Sequence, residues 1–303
     1  MAKDLHKKDD YKEYGKSCIE EDAKEKTNGK LMKEYIDEWE EKGGSYFEFD
    51  YDKETDSVTI IDIYVTSEYK LEIPNFVSRV CYCAWYRNIS DRGYKIFIPK
   101  GCYIDLFDKN NDSVCTHVMY FEVDEKHELY SSEDGVLYNK DKTILLAYPM
   151  FRVESRYTVP ESVVRIGYNA FILPNMLEQL IITKNVIDIQ NSLFHSSIEI
   201  IVDEENSAFK SVNGSLYSKD GKILYSLYID ENGKAIVEEG TIIISEKQNM
   251  LSCEELYIAS TVKIIGSIDN IFFNGDIEHC VVPRALKECL NKYDTDFMDI
   301  TYY

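Results

Sequence analysis

The residues of this chain that are best able to do chemistry are its thiols and imidazoles. Eight cysteines and five histidines occur among its 303 residues. Thiolates and neutral imidazoles are the usual ligands of structural zinc, and Cys–His pairs serve nucleophilic catalysis. Cys81-Tyr82-Cys83 is predicted to place two thiols on one face of an extended segment, which could begin a metal site. The further candidate ligands are Cys115, His117, His279 and Cys280.

The spacing of the cysteines argues against a metal. No cysteine pair separated by two residues follows Cys81 and Cys83, so the second half of a zinc knuckle is missing. The cysteines also show no regular disulfide framework. In a chain of this length they are typical of small buried hydrophobic residues in a reducing compartment. We therefore predict free thiols and no metal.

The oxygen-rich segments give no stronger signal for chemistry. Asp108–Asp112 begins like a calcium loop, but Met119 stands where that loop needs a bidentate acid. The paired carboxylates of Asp124–Glu125 and Asp203–Glu205 recur within a repeated turn, which favours a structural role. No glycine-rich phosphate loop occurs. We predict no cofactor and no catalytic residue, and an enzyme or regulatory subunit is the weakest of three hypotheses.

The charge of the chain narrows the choice of partners. The net charge is −21 at pH 7, and a surface of that sign repels nucleic acid and anionic lipid. No apolar run approaches the roughly 18 residues that span a bilayer. We therefore expect a neutral or basic protein ligand, no nucleic acid and no membrane insertion. No signal peptide is visible, so we expect a cytoplasmic protein if Met1 is native, and a surface or secreted protein if a leader was removed.

Residues 123–148 and 202–228 carry the same motif at an interval of 79 residues. Gly135 and Gly214 follow polar residues and are predicted turns, with alternating apolar residues on both sides. Each segment is therefore predicted to be a small β-hairpin. The matched residues are Asp124, Gly135, Tyr138 and Asp141 in the first copy and Asp203, Gly214, Tyr217 and Asp220 in the second. A match without a gap predicts a repeat architecture.

A shorter pattern recurs from about residue 66 onward. The clear copies begin at Leu71, Tyr157, Leu180 and Leu256. Within a copy, aliphatic residues two apart lie on one face of a short strand, and residues three apart fit a tight turn or a short helical segment. Pro160 ends the strand of its copy because proline has no N–H to donate, and Glu238 takes its place in a later copy. One copy buries too little to offset the entropy of ordering its backbone, whereas stacked copies share strands and core.

These residues resemble the BspA-type leucine-rich repeat family. Family copies read aliphatic-x-Ile-Pro, then Val, Ile and Ala-Phe, and Val-Asp-x-x-Asn and Asp-Gly-x-Leu-Tyr segments interrupt them. The corresponding residues lie in Tyr157–Phe171, Val202–Asn206 and Glu133–Asp141, and the resemblance covers about residues 66–290. It implies an α/β repeat solenoid, a right-handed coil with short parallel strands on its concave face and β-hairpin insertions. The family supplies no catalytic residues, and its members are mostly thought to act in binding or adhesion, often on bacterial or protist surfaces.

The N-terminal residues carry different patterns. Residues 1–27 are charged and aperiodic, which predicts a flexible lead-in. Residues 28–42 place apolar side chains at helical spacing, and the alternation that begins at Phe47 predicts a hairpin up to residue 65. A helix and a hairpin would cover the open end of a repeat stack. The predicted organisation is a lead-in over 1–27, a cap over 28–65 and a solenoid over 66–303.

The remaining candidate site is the concave strand face, where residues between the inward ones point outward. The candidate binding residues are Lys95, Phe97, Thr158, Ile181, Thr183 and Tyr257, with Glu72 and Ala259 beside them. Phe97, Ile181 and Tyr257 predict an apolar strip with a polar surround, as protein interfaces have. We therefore predict a non-catalytic protein-binding scaffold, with a cell-surface adhesin for host protein or glycan as the alternative. The alternative is that adjacent loops or a crystal neighbour cover the strip.

Overall fold

The chain falls into two compact units. Unit 1 ends at residue 141 and also contains residues 149–152, and unit 2 comprises residues 142–148 and 153–303. The computed structural model describes residues 27–65, 70–85, 93–106, 117–171, 174–190, 195–245, 252–266, 276–290 and 299–303. The lead-in predicted over 1–27 therefore lies outside the described residues except for Thr27, and the calcium-like segment Asp108–Asp112 lies outside them entirely.

Unit 1 opens with the helix and the hairpin that the sequence predicts. The bounds are Asn28–Lys42 for helix α1, Tyr46–Asp52 for strand β1 and Ser57–Tyr64 for strand β2. The helix begins where Thr27 Oγ1 accepts a hydrogen bond from the Lys30 N–H. It ends at Gly43, whose φ of 69° is a conformation that glycine adopts without strain. Local sequence signals therefore fix both ends of α1.

Asp56, in the turn of the hairpin, attaches the helix to the hairpin. Its carboxylate accepts hydrogen bonds from the N–H groups of Asn28 and Gly29, at 3.0 and 3.3 Å, and from the Tyr51 hydroxyl at 2.9 Å. The bond from Asn28 is the main reason why the pKa of Asp56 lies below its usual value. A carboxylate at this position also complements the positive end of the helix dipole. The hairpin turn is thus held on the first turn of α1.

The coils of unit 1 each contribute a strand to two parallel sheets. Their strands are β3 (Lys70–Glu72), β4 (Val77–Val80), β5 (Tyr94–Ile98), β6 (Tyr103–Ile104) and β7 (Val118–Val123), followed by the hairpin strands β8 (Tyr130–Glu133) and β9 (Val136–Asn139). One sheet has the order β3-β5-β7, and the other contains β2, β4 and β6 in parallel. Because β2 pairs with β4, the N-terminal hairpin continues the stack of coils at one end.

Unit 2 is built on the same plan. Its first coils comprise β10 (Ile144–Ala147), β11 (Arg156–Thr158), β12 (Arg165–Ile166), β13 (Gln179–Ile182), β14 (Asp188–Ile189) and β15 (Glu199–Val202). A hairpin of β16 (Phe209–Val212) and β17 (Ser215–Ser218) follows. The later elements are β18 (Ile223–Ser226), β19 (Lys234–Ile236), β20 (Ile243–Ile244), β21 (Ser252–Tyr257), β22 (Ile264–Ile265), β23 (Asp276–Val282), α2 (Lys287–Leu290) and β24 (Asp299–Tyr302). The parallel runs are β11-β13-β15, β10-β12-β14, β19-β21-β23-β24 and β18-β20-β22.

The core of each stack consists of inward side chains that meet in register. Tyr157, Leu180 and Ile200 are neighbours on three successive strands, and all three are buried. The predicted fold class, a repeat solenoid of stacked parallel-strand coils, is confirmed. Helix contributes little to it, since α1 and the four-residue α2 are the α-helices of the described residues. Neither of these helices has the length and apolar character needed to span a bilayer.

The return half of a coil differs from the sequence-based expectation. Val186 and Ile189 fit a tight turn or a short helical segment, but the structure has a turn followed by the strand β14. This strand pairs with β12, with Arg165 opposite Asp188 and Ile166 opposite Ile189. A neighbouring coil supplies the backbone partners, which periodicity within one copy cannot reveal. Each coil therefore has two short strands where the sequence predicted one.

Pro160 ends strand β11 as predicted. The N–H of Val159 makes the last ladder bond, at 2.9 Å, and the Pro160 carbonyl then accepts a hydrogen bond from the Val163 N–H at 3.0 Å. Glu238 makes the same turn, because its carbonyl accepts from the Thr241 N–H at 3.2 Å. The turn therefore depends on the backbone carbonyl at this position, and proline only removes a donor that the ladder no longer uses.

The two hairpins predicted from the 79-residue repeat have the same backbone. Strand β8 pairs with β9 and β16 pairs with β17, both antiparallel, and every register pair of the second hairpin is numbered 79 above the first. The turn residues Asp134 and Gly135 have φ of 47° and 80°, and Asn213 and Gly214 have 48° and 78°. Two successive residues with positive φ form the two-residue turn that matches the twist of a hairpin. The repeated segments are thus one structural unit.

The same hydrogen bonds join each hairpin to the strand before it. In both copies the turn glycine carbonyl and a serine hydroxyl accept from strand N–H groups. The pairs are Phe121–Gly135 at 2.9 Å, Val123–Ser132 at 3.1 Å, Ile200–Gly214 at 2.8 Å and Val202–Ser211 at 3.0 Å. Tyr138 and Tyr217, the matched tyrosines, are both core residues with 1% exposure. The turn of each hairpin is therefore hydrogen-bonded to the last strand of the parallel sheet before it.

Asn206 is a buried side chain that holds the second copy of the 79-residue repeat in place. Its side-chain Nδ2 donates to the carbonyls of Thr183 and Val186, at 2.9 and 2.8 Å. Its Oδ1 accepts from the N–H groups of Ala208 and Phe209, at 2.9 and 2.8 Å. Asn206 is completely buried, so these four bonds satisfy every polar valence of the amide.

His127 occupies the equivalent position in the first copy and also bonds to two backbone N–H groups and a carbonyl. Its Nδ1 accepts from the N–H groups of Leu129 and Tyr130, both at 3.1 Å, and its Nε2 bonds to the Cys102 carbonyl at 3.0 Å. Because Nδ1 faces two N–H donors, it acts as the acceptor, and Nε2 is left to donate to the Cys102 carbonyl. His127 is 79 residues before Asn206 and 1% exposed. The sequence comparison missed this pair, since the two residue types differ.

Gly135→Ala should lower the free energy of unfolding more than Gly101→Ala does. Both glycines have positive φ, so both substitutions introduce backbone strain of about 1 kcal/mol. A Cβ at Gly135 would lie 2.4 Å from the Tyr120 ring, whereas a Cβ at Gly101 meets nothing within 4 Å. Gly135→Val should cost roughly 1–3 kcal/mol or more. Urea unfolding followed by circular dichroism measures the difference, and equal losses for the two alanine variants would contradict the assigned contact.

His127→Asn should be tolerated much better than His127→Leu. The asparagine retains an acceptor for the N–H groups of Leu129 and Tyr130, as Asn206 shows in the other copy. Leucine leaves these donors without that partner, at a cost of roughly 1–3 kcal/mol each. Thermal and urea unfolding of the two variants check this expectation. A stability of His127→Leu equal to that of His127→Asn would show that the ring serves only to fill space.

Candidate binding face

The outward side chains of the parallel sheets form the candidate site. Along a strand, side chains alternate between the two faces, and in β13 Leu180 and Ile182 are buried while Gln179 and Ile181 are half-buried. Since neighbouring strands pair in register, equivalent outward residues line up in rows across a sheet. We call the outward side of each such sheet its outer face. The sheets are β3-β5-β7 in unit 1, and β11-β13-β15 and β19-β21-β23-β24 in unit 2, and the face of each unit is described by itself.

The four-stranded sheet β19-β21-β23-β24 carries a row of charged and polar side chains. Lys234, Glu255, His279 and Asp299 lie opposite one another on four successive strands. Lys234 Nζ lies 2.8 Å from Glu255 Oε2, and His279 Nδ1 lies 2.9 Å from Asp299 Oδ2. The first contact raises the pKa of Lys234 and lowers the pKa of Glu255, chiefly through the hydrogen bond between them. Such exposed pairs add little stability, and the row presents ordered polar and charged groups to solvent.

An apolar row runs beside the charged one. Ile236, Tyr257, Val281 and Thr301 are in register two residues further along the same strands. Ile236 is 48% exposed, and Tyr257 and Val281 are half-buried. At the usual strand spacing the row is about 14 Å long. It therefore combines the length and the chemistry of a small interface core.

Tyr303 extends the apolar row by stacking on Tyr257. The ring centroids are 5.5 Å apart and the rings are nearly parallel. The Tyr303 hydroxyl donates to the Ile258 carbonyl at 2.7 Å, while 42% of the residue is exposed. Partial desolvation of this hydroxyl, and its interaction with Tyr257, raise the pKa of Tyr303, so the phenol is neutral at physiological pH. The paired rings offer a flat, uncharged surface next to the ionic row.

The first sheet of unit 2 has a smaller version of the same arrangement. Thr158, Ile181 and Ile201 form an apolar row in register. Beside it, Gln179 Nε2 donates to Glu199 Oε2 at 2.6 Å. An apolar row next to a polar row thus occurs twice within unit 2.

The outer face of unit 1 is more polar. Glu72, Phe97 and Glu122 lie in register, and Lys70 Nζ contacts both carboxylates, at 3.0 and 3.6 Å. Lys95 Nζ lies 4.8 Å from the centre of the Tyr120 ring, a cation–π distance. A cavity of about 350 Å³ opens beside this sheet, lined by Tyr35, Ser45, Phe47, Lys70, Leu71 and Glu72. Unit 1 therefore presents an aromatic ring between two acidic groups next to a pocket.

Most of the residues predicted for the face do lie on it. Lys95 and Thr158 are exposed, and Phe97, Ile181 and Tyr257 are half-buried and directed outward. Their role in binding stays a prediction.

The placement of Thr183 and Ala259 on the face is wrong. Thr183 is 6% exposed and Ala259 is completely buried. Both occupy the turn position that Pro160 occupies in its own copy, with their carbonyls accepting from Val186 and Val262. The prediction assumes that the alternation of side chains continues past the end of each strand, but the backbone turns inward there.

Several face residues escaped the sequence analysis. Ile201, Ile236 and Val281 lie on strands outside the clear copies of the repeat, and Tyr303 directly follows strand β24. The spacing of 20 residues between Gln179–Ile182 and Glu199–Val202 was a usable signal for Ile201. Tyr303 reaches the face only through the pairing of β24 with β23, for which the sequence holds no comparable pattern.

The histidines of the described residues that could serve catalysis lie apart from one another. His195 is exposed and makes a local bond to Ser197 Oγ, His127 is buried in its hairpin, and His279 pairs with Asp299 on the face. The expected extended geometry of Cys81–Cys83 is wrong, because Tyr82–Trp85 forms a 3₁₀ turn. Within the described part of the chain, three or more metal-ligating side chains do not come together. The described outward residues present apolar surface, charged groups and hydrogen-bonding groups to solvent.

Comparison with known proteins places the chain beside bacterial leucine-rich repeat proteins. No family model and no curated protein matches the sequence. Among solved structures, the pneumococcal vaccine antigen PcpA is 14% identical with a TM-score of 0.43, and the match covers 77% of this chain and 67% of that one.

Two further solved structures match over similar lengths of this chain. A leucine-rich cell surface protein from Faecalibacterium prausnitzii is 17% identical, with a TM-score of 0.37 and coverage of 76% and 52%. A leucine-rich repeat protein from Eubacterium ventriosum is 17% identical, with a TM-score of 0.36 and coverage of 76% and 62%. The match thus spans about half of the first protein and less than two thirds of the second. The chain is similar to bacterial leucine-rich repeat proteins, the class that its repeated motifs indicate.

Proposed function

We propose that this chain is a non-catalytic scaffold that binds a protein ligand on its outer face. The observation that carries the proposal is the row of Ile236, Tyr257 and Val281, in register and open to solvent, next to the ordered charges of Lys234 and Glu255. An apolar centre with a polar rim is the usual anatomy of a protein interface.

The sheet holds these side chains in place before any ligand arrives. Strand β21 pairs with β19 on one side and with β23 on the other, so the backbone that carries Tyr257 is fixed along both edges. Stacking on Tyr303 further restricts the ring. Binding therefore costs little additional ordering of side chains, which favours affinity from a small apolar area.

The charge of the protein restricts the ligand. With its net charge of −21, the protein attracts a basic partner at long range, does not repel a neutral one, and repels nucleic acid. On the face itself Lys234 forms an ion pair with Glu255, and His279 bonds to Asp299 in the same row. A ligand with complementary polar and charged groups would gain orientation from this row rather than much affinity.

A glycan ligand is the second candidate, and unit 1 supplies the observation that favours it. Phe97 is in register between Glu72 and Glu122 of the neighbouring strands, and Lys70 contacts both of these carboxylates. An aromatic face offers apolar contact to the C–H surface of a sugar, and carboxylates accept hydrogen bonds from its hydroxyl groups. A protein with this preference would act as an adhesin.

Tyr257→Asp should abolish capture of the partner from a lysate of the native organism, while Ile187→Asp leaves it unchanged. The first variant places a charge in the apolar row. Ile187 is also an exposed aliphatic residue of unit 2, 55% exposed, but it lies beside β14, outside the outer face. With the purified partner, the dissociation constant should rise at least about tenfold for Tyr257→Asp, which corresponds to about 1.4 kcal/mol.

Ile236→Asp serves as a second variant, because a half-exposed isoleucine can be replaced with little effect on the core. Melting curves of all three variants establish that they are folded. Unchanged affinity in both Tyr257→Asp and Ile236→Asp would overturn the assignment of the face. Capture that disappears after enzymatic removal of glycans from the lysate would favour the glycan alternative.

A further inference from the structure

Cys81 and Cys83 bring two sulfur atoms together in unit 1. Their Sγ atoms are 2.8 Å apart, and both residues are half-buried rather than sealed in the core. Cys102, Cys253 and Cys280, by contrast, are buried. The dithiol is therefore distinguished by both its geometry and its access to solvent.

The backbone explains why the two sulfurs meet. The Cys81 N–H donates to the Ile60 carbonyl at 2.8 Å, which extends the pairing of β4 with β2. The chain then turns, because the Ala84 N–H donates to the Cys81 carbonyl at 3.0 Å. Within this single turn Cys83 Sγ points back to the Ile61 carbonyl, 3.3 Å away, and to Cys81. The turn thus lies against strand β2, and both thiols are on the same side of it.

The distance fits bond formation between the sulfurs better than a shared zinc ion. Tetrahedral zinc with Zn–S bonds of about 2.3 Å keeps two sulfurs roughly 3.8 Å apart and needs further ligands. In the described residues no group of three or more candidate ligands forms. We infer that Cys81 and Cys83 are a redox-active dithiol that closes reversibly to a Cys-Tyr-Cys disulfide in exchange with a low-molecular-weight disulfide such as oxidised glutathione.

The reaction balances as two thiol–disulfide exchanges. The Cys81 thiolate attacks one sulfur of glutathione disulfide, which forms a mixed disulfide and releases one glutathione thiolate. The Cys83 thiolate then attacks the Cys81 sulfur, closes the intramolecular bond and releases the second glutathione. Two protein thiols are oxidised and one glutathione disulfide is reduced to two thiols, which take up the two protons.

The surroundings of Cys83 assign the order of attack. Burial, followed by the hydrogen bond with Cys81, raises the pKa of Cys83 to about 12. A thiol that rarely ionises is a poor first nucleophile. Once Cys81 carries glutathione, however, the Cys83 sulfur lies next to the sulfur that it must attack. The close contact then compensates for the small thiolate fraction, because the second step is intramolecular.

The test follows disulfide exchange between glutathione and the folded chain. The protein is equilibrated in buffers of increasing oxidised to reduced glutathione ratio, quenched by acid, denatured and alkylated, and digested with trypsin. Cleavage after Arg79 and Arg87 yields a peptide of residues 80–87, whose two cysteines are Cys81 and Cys83. Mass spectrometry of this peptide distinguishes two alkyl groups, two glutathione adducts and a cyclic form that is two hydrogens lighter than the dithiol.

We expect the doubly alkylated peptide to be replaced by the cyclic form as the ratio rises, and dithiothreitol to restore it. Cys102→Ser should behave like the wild type, whereas Cys81→Ser should leave Cys83 alkylated or carrying glutathione, without a cyclic product. The readout on the wild-type protein does not depend on how any variant folds. A peptide that stays doubly alkylated at every ratio, or that accumulates two glutathione adducts without cyclising, would overturn the inference.

Discussion

Parallel backbone pairing between successive coils is the interaction on which the rest of this structure depends. A coil of about twenty residues cannot bury enough apolar surface to fold alone. When its strand pairs with the next one, inward residues such as Tyr157, Leu180 and Ile200 come into register and share one core. The second short strand of a coil strengthens the same contact, since Ile166 and Ile189 pair in the same way. Each coil is therefore stable only as a neighbour of another coil.

The pairing that builds the core also builds the outer face. Because strands alternate their side chains with a period of two, a register that aligns buried residues must align the outward ones as well. The apolar row through Tyr257 and the charged row through Glu255 are consequences of this alignment. The chemistry of the outward residues can thus change from copy to copy, while the inward residues keep the stack intact. The outward side chains are spread in rows along the sheets rather than converging on one point.

The hairpin insertions show which parts of a repeat are fixed by geometry and which by chemistry. Gly135 and Gly214 share positive φ and the same carbonyl bond to a strand, so glycine is retained in both copies. Beneath the hairpins, His127 and Asn206 differ in type but each offers one acceptor for two N–H groups and at least one donor for a carbonyl. The two N–H groups that they satisfy are equivalent in the two copies, whereas Asn206 bonds to two carbonyls and His127 to one. Stability therefore constrains the hydrogen-bonding pattern at this position more than the residue itself.

The sequence by itself determined the elements whose cause is local. Helix α1, the N-terminal hairpin, the two inserted hairpins and the turn at Pro160 follow from spacing, glycine and proline within a few residues, and the structure has them all. The outward direction of Lys95, Phe97, Thr158, Ile181 and Tyr257 follows from the same short-range alternation. Tertiary structure alone decided the second strand of each coil, the burial of Thr183 and Ala259, the stacking of Tyr303 on Tyr257 and the meeting of Cys81 with Cys83. Each of these depends on where a neighbouring coil or strand supplies a backbone partner or ends the ladder, and no pattern within a single copy carries that information.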